Sequence, residues 1–286
     1  MRTEASIRPV LVAGLGVALL CIMDAAMKVV SPVYSVAEVV GLRYVAGAFF
    51  ASLTFLALSR EKPGLDSLRR NLMRSVIVLL TATCFFTAIA RLPLVEAVTL
   101  TFLAPLFMSL LGYAILREPI GPRTLVGVGL GLAGVAVIAH GQSSDQSRPF
   151  DVIGLAAALG CAFFYALSMV LMRKQSAKDS TLTIVALSNI FAFLLAMPAM
   201  IWFWQTPTPS HLVIFAASGL LGTLGHLCMA WAYSRAHAGK LGLLEYSAFV
   251  WAMIFGYFIF AEVPTTWTLA GAALIVLACL IALMRR

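Results

Sequence analysis

The sequence predicts an all-α polytopic membrane protein with ten transmembrane helices in two inverted five-helix repeats. Three observations lead there. Of the 286 residues, 62% are hydrophobic and only 11% charged, with a mean hydropathy of +0.98, whereas soluble domains hold roughly 45–50% apolar residues. The apolar residues gather into ten runs, each near the roughly 20 residues that cross a hydrocarbon core about 30 Å thick. The chain also matches itself without a gap at a displacement of 144 positions: Arg91 meets Arg235, Gly112-Tyr113 meets Gly256-Tyr257, Glu118 meets Glu262, and Thr124-Leu125-x-Gly127 meets Thr268-Leu269-x-Gly271. Five spans per copy is an odd number, so the second copy enters the bilayer upside down.

The runs lie at about 10–30, 36–58, 72–91, 94–116 and 122–140 in the first copy (residues 1–145). In the second copy (residues 146–286) they lie at about 151–172, 180–204, 211–233, 240–260 and 265–284. Helices are expected throughout, because an open sheet leaves edge amides unpaired in lipid. The turn-forming stretch Gly141–Pro149 separates the copies and reads as their linker. Lys and Arg number 20 against 12 Asp and Glu, and the excess follows topology, not a soluble basic face, so no nucleic-acid partner is expected. Sixteen of the basic residues, including Arg60, Lys62, Arg69, Arg70 and Arg74 between spans two and three, fall on one side. Lys28, Arg91 and Arg148 fall on the other, and Arg43 lies within span two. That asymmetry predicts cytoplasmic termini in a bacterial-type inner membrane. The N-terminal run resembles a secretory signal, but Asp24 and Lys28 interrupt it, so it reads as a retained first helix. Cys21, Cys84, Cys161, Cys228 and Cys279 each stand alone in apolar runs and read as small hydrophobes, with no metal site or cofactor expected.

Charges inside spans define the candidate site. Asp24 and Lys28, four apart, share a face of span one, and each costs roughly 2.5–3.5 kcal/mol at the bilayer centre. Arg43 enters span two to a depth of roughly 10 Å, matching Asp24 across the hairpin. Two readings stand for this cluster. In one it meets an ionised part of a solute, or Asp24 exchanges a coupling proton; in the other it is a structural ion group with Lys28 reaching to the headgroups. Glu245, beside Tyr246 in span nine, would bind an ammonium group or a proton, or else pair with Lys240 or Arg235. Phe102, Tyr113, Tyr246 and Trp251 would stack on a planar solute, although membrane helices also use aromatics for packing and interfacial belts.

Other features read as structural. Glu96 would pair with Arg91, and Glu118 and Glu262 would cap helix ends or hold loop amides. Pro105 and Pro198 would kink spans four and seven. Gly127, Gly131 and Gly134 would allow close helix packing. His226 and His237 have no evident partner in the sequence, and no catalytic motif of the G-x-S-x-G, P-loop or HExxH kind occurs, so an enzyme is not expected.

The segments AIARLPLVEAVTLTFLAPLF and LREPIGPRTLVGVGLGLAGV in the first copy, with LEYSAFVWAMIFGYFIFAEVPTTWTLAGAALIV in the second, resemble the paired signatures of EamA-type members of the drug/metabolite transporter superfamily. One departure is that the Gly usual before the loop Glu is Arg117 in the first copy and Ala261 in the second. The resemblance implies a carrier of small organic solutes with a cavity between inverted halves. Relatives handle amino acids, S-adenosylmethionine, riboflavin, nucleosides and drugs. The function expected is therefore secondary transport of a small polar metabolite, an amino acid or related compound, by alternating access driven by a proton or solute gradient. Riboflavin or S-adenosylmethionine uptake, and a passive channel, are the alternatives. The partners expected are the solute, membrane lipid and a coupling proton; oligomeric state has no signature in the sequence.

Overall fold

Long apolar runs bounded by polar capping residues become helices because every backbone amide in hydrocarbon must be paired within its own segment. The computed structural model describes residues 7–59, 61–117, 121–144, 150–175, 178–233 and 246–283. Among them the helices, in chain order, are α1 (Ile7–Val30), α2 (Val36–Leu58), α3 (Leu65–Arg91), α4 (Leu94–Thr101), α5 (Ala104–Leu116), α6 (Pro122–Ser144), α7 (Val152–Gln175), α8 (Thr181–Trp202), α9 (Pro209–Tyr233), α10 (Ser247–Phe260) and α11 (Thr266–Leu283). Eight stretches are long and apolar enough to span a membrane, with α4 and α5 together forming one from Leu94 to Ile115; α10 and α11 are shorter apolar helices. The described residues contain no strand.

The starts are set by short polar side chains. Ser35 Oγ accepts the Glu38 N–H at 3.2 Å before α2, and Asp151 Oδ1 accepts the Gly154 N–H at 2.7 Å before α7. Ser180 Oγ accepts the Thr183 N–H at 3.3 Å before α8, and Thr265 Oγ1 accepts the Thr268 N–H at 3.1 Å before α11. Each satisfies an amide that the first helical turn leaves open.

One expectation about the spans holds and two need correction. Span four tightens at Phe102–Leu103, where both residues keep right-handed helical dihedrals but their amides bond three residues back, to Thr99 and Leu100, because Pro105 has no N–H for the carbonyl four residues back; the kink expected at Pro105 is thus present, and it divides the span into α4 and α5. The first helix after the charged loop begins at Leu65 rather than near residue 72, so Arg69, Arg70 and Arg74 ride on α3. The linker is shorter than Gly141–Pro149, because α6 continues to Ser144, and Gly141 sits so close to Trp267 that a Cβ there would come 2.4 Å from its Cβ. By contrast α8 runs through Pro198 without interruption.

The chain divides into two compact units, each drawing on both sequence halves. Unit 1 comprises residues 1–76 and 175–251, and unit 2 residues 77–174 and 252–286. In unit 1, α1 packs on α9, and α2 on α8 and α9, at crossings where a glycine removes the side chain. A Cβ on Gly219 would stand 2.3 Å from the Ala46 Cβ, one on Gly16 3.1 Å from the Gly225 carbonyl oxygen, and one on Gly41 2.6 Å from the Met200 sulfur. In unit 2, α6 packs on α11 with Gly134 and Gly271 face to face: a Cβ on either would approach the other's carbonyl oxygen to 2.8 or 2.7 Å. Helices in lipid gain little from the hydrophobic effect and associate through such close backbone contact. Large apolar side chains including Phe49, Leu53, Leu56, Trp202 and Phe258 are exposed, as a lipid-facing surface requires.

Candidate solute-binding site

Asp24, Lys28 and Arg43 all lie in unit 1. Arg43, on the second turn of α2, is only 7% exposed, and its guanidinium carbon lies 4.6 Å from the centre of the Tyr44 ring, a cation–π distance. Gly222 on α9 makes room for it, since a Cβ there would come 3.3 Å from Arg43 Nη2 and 2.8 Å from the Met23 sulfur. Asp24 on α1 is half-buried, and the Arg43 charge acts on it. His226, one turn beyond Gly222, pairs its Nδ1 with the Gly222 carbonyl at 2.6 Å; its ring is exposed yet within the field of Arg43. Lys28 is buried one turn from Asp24.

Sequence reasoning missed Arg74. It is 6% exposed and its Nη2 donates to Ser188 Oγ on α8, while Tyr44, the ring under Arg43, acts on it electrostatically. Its place in the third turn of α3, followed by Ser75, Val76 and Ile77, is the signal that separates it from Lys62, which precedes the helix.

Polar networks close both ends of unit 1. At one end Tyr34 Oη pairs with His211 Nδ1 at 2.7 Å and accepts the Thr208 N–H at 3.3 Å. There the fully buried Glu38 accepts the Gln205 N–H at 3.2 Å. At the other end Asp179 accepts from Arg70 at 2.9 Å and from Gln175 Nε2 at 3.0 Å. Burial opposes the charge of Asp179, but these bonds outweigh it and hold the carboxyl below the usual range. Glu61 is held low by hydroxyl donors Ser180 and Thr183, at 2.6 and 2.7 Å.

The remaining candidates fall elsewhere. Phe102 and Tyr113 belong to unit 2. Phe102 lies in the tightened turn between α4 and α5, and its carbonyl accepts the Cys279 thiol at 3.1 Å, so this cysteine does more than fill space. Tyr113 and its repeat partner Tyr257 are equally exposed at 58%. Tyr246 and Trp251 are half-buried within the unit 1 segment. Glu245, with Arg235, His237 and Lys240, lies outside the described residues, as does Glu118. Glu96 does not pair with Arg91: it accepts from Gln142 Nε2 at 2.8 Å and from Thr268 Oγ1 at 3.0 Å, while Arg91 meets Asp151 at 3.2 Å. Glu262 does cap a helix, but that helix is α4, through the Leu94 N–H at 2.8 Å.

Apolar spans with a charged, partly accessible cluster inside them define a membrane transporter class. The model of the EamA-like transporter family matches residues 7–140 and again 152–284, and the chain belongs to that family. It is 32% identical over 266 residues to the pseudopaline exporter CntI of Pseudomonas aeruginosa, covering 91% of this chain and 90% of that one. It is 26% identical over 210 residues to the S-adenosylmethionine uptake transporter of Rickettsia bellii, covering 73% and 70%. A solved crystal structure shares the fold at a TM-score of 0.66 over 96% of both chains, with 21% identity.

Proposed function

We propose that this EamA-family transporter carries a small ionised organic metabolite, an amino acid or related compound, across the inner membrane by alternating access. The site is the Asp24/Arg43 cluster of unit 1, and the observation that carries the reading is a buried guanidinium on a Tyr ring with a half-buried carboxylate in its field. Such a pair offers one charge to each end of a zwitterion. Relatives named as an exporter of pseudopaline and an importer of S-adenosylmethionine support a small-molecule cargo and leave either direction open. The double match of the family model, on residues 7–140 and 152–284, supports ten spans in two inverted repeats, 1–145 and 146–286, and the skew of basic residues between the two sets of loops supports cytoplasmic termini. Without an ATP-binding motif in the sequence, a proton or solute gradient supplies the energy, and Asp24 is the proposed proton carrier.

Proteoliposomes holding the purified protein, screened with a metabolite pool by thermal stabilisation and then by counterflow, test this reading. Stabilisation should follow the logarithm of concentration over Kd. Arg43→Gln should weaken binding of the hit at least tenfold and reduce counterflow in step; unchanged affinity and flux would remove Arg43 from the site. Flux that never saturates and shows no exchange would mark a channel.

A further inference from the structure

We infer that Arg43 and Arg74 form a single two-guanidinium site, and that with Asp24 as counter-charge it selects an amino acid bearing a second acidic group. The inference rests on the transport reading and names its substrate class. Arg43 is the eighth residue of α2 and Arg74 the tenth of α3. At 1.5 Å per residue they stand about 11 and 14 Å from their helix starts. Arg43 therefore lies well inside α2, and Arg74 lies one turn inward of Arg70, whose partner Asp179 stands at the end of unit 1. Tyr44 lies under the Arg43 guanidinium. Helix α8 ties Arg74 to the same stretch of α2: Ser188 accepts from Arg74, and the next residue, Asn189, packs on Gly47, one turn beyond Arg43, where a Cβ would come 2.5 Å from the Asn189 Oδ1.

Guanidinium groups stay protonated in proteins, and arginine in buried sites favours carboxylates through its planar fork of donors. Two such forks and the Asp24 carboxylate give the lining a net positive charge. Its complement is a solute with two carboxylates and one ammonium: the carboxylates face Arg43 and Arg74, and the ammonium faces Asp24. A neutral amide in place of the second carboxylate would leave one buried guanidinium facing a dipole where it had faced a charge, which is the larger loss.

The full-length protein is tested for thermal stabilisation and counterflow with L-aspartate, L-glutamate and L-2-aminoadipate, each against its side-chain amide. At least one diacid should bind about tenfold or more tightly than its amide. Arg74→Gln should erase that ratio, Arg74→Lys should restore part of it, and Arg91→Gln, in unit 2, should leave it in place. Equal Kd values for every acid and amide on the wild-type protein would overturn the proposal without any variant having to fold, and so would a ratio that survives Arg74→Gln. If the diacids bind with the expected ratio but show no counterflow, the anion site stands and the transport reading fails. Pool solutes that exchange while no diacid binds or competes would support transport and refute this site.

Discussion

Arg117 and Ala261 occupy equivalent places in the two copies and both adopt left-handed backbone, with φ of 57° and 54°. That conformation costs a residue with a Cβ roughly 1–2 kcal/mol, and glycine avoids it. The departure from the family's usual glycine, legible in the sequence as a substitution, is therefore a strained cap at a helix end. Ala261→Gly and Arg117→Gly should each stabilise the protein by about 0.5–1 kcal/mol after the entropy that glycine forfeits. A thermal unfolding midpoint that fell on either change would show that the strain is absent. Of the site itself, Asp24, Lys28 and Arg43 were visible because charges in apolar runs stand out. Arg74 was not, because a cation near the start of a run reads as loop until the helix is known to begin at Leu65. Glu96 was misassigned because its partners, Gln142 and Thr268, are distant in sequence and only tertiary packing brings them near.

At the scale of elements, glycine placement separates contact from spacing. Gly219→Ala puts a methyl 2.3 Å from the Ala46 Cβ and 2.5 Å from its carbonyl carbon, where α2 and α9 must move apart, whereas Gly14→Ala in α1 meets nothing within 4 Å. The first should destabilise by about 1–3 kcal/mol as overpacked cores do; the second should be neutral or stabilising by up to about 1 kcal/mol. Midpoints measured in detergent for the pair decide this, and equal shifts would contradict the crossing. The helix pattern was legible because hydropathy and length fix spans, and the weakness at Pro105 was legible because proline lacks a donor. That the Phe102 carbonyl at this kink would be taken up by Cys279 depends on α11 lying alongside, which no local signal records.

For the whole molecule, acid stability should report the ion networks outside the spans. Asp179 and Glu61 in unit 1, and Asp151 in unit 2, all have depressed carboxyl values. For Asp151, burial opposes the charge, and the Gly154 amide and Arg91 outweigh it. Groups held low in the folded state stabilise it fully above their unfolded value, about 3.9–4.3, and lose that contribution as pH falls through the folded value. Unfolding midpoints should thus be insensitive to these groups from pH 7 to about 5 and drop below about 4, with a shallower acid limb in Asp179→Asn. An unchanged limb would exclude Asp179 as a contributor. Topology is open to a direct test as well: single cysteines near residues 1 and 286 should label from the same face, and one at Val33 from the opposite face. Termini on different faces would end the inverted-repeat reading.

Unit 1 joins residues 1–76 to 175–251, and this has a consequence for biogenesis. Arg43 leaves the ribosome 179 residues before Gly222, the position on α9 against which it packs. At about 5–20 residues per second, that interval lasts roughly 10 to 35 s. Throughout it the nascent hairpin of α1 and α2 must sit beside the translocon with its arginine already made and its docking helix not yet translated. Asp24, emerging 19 residues earlier than Arg43, is then the acidic companion at hand, so neutralising it should impair membrane insertion before it impairs transport.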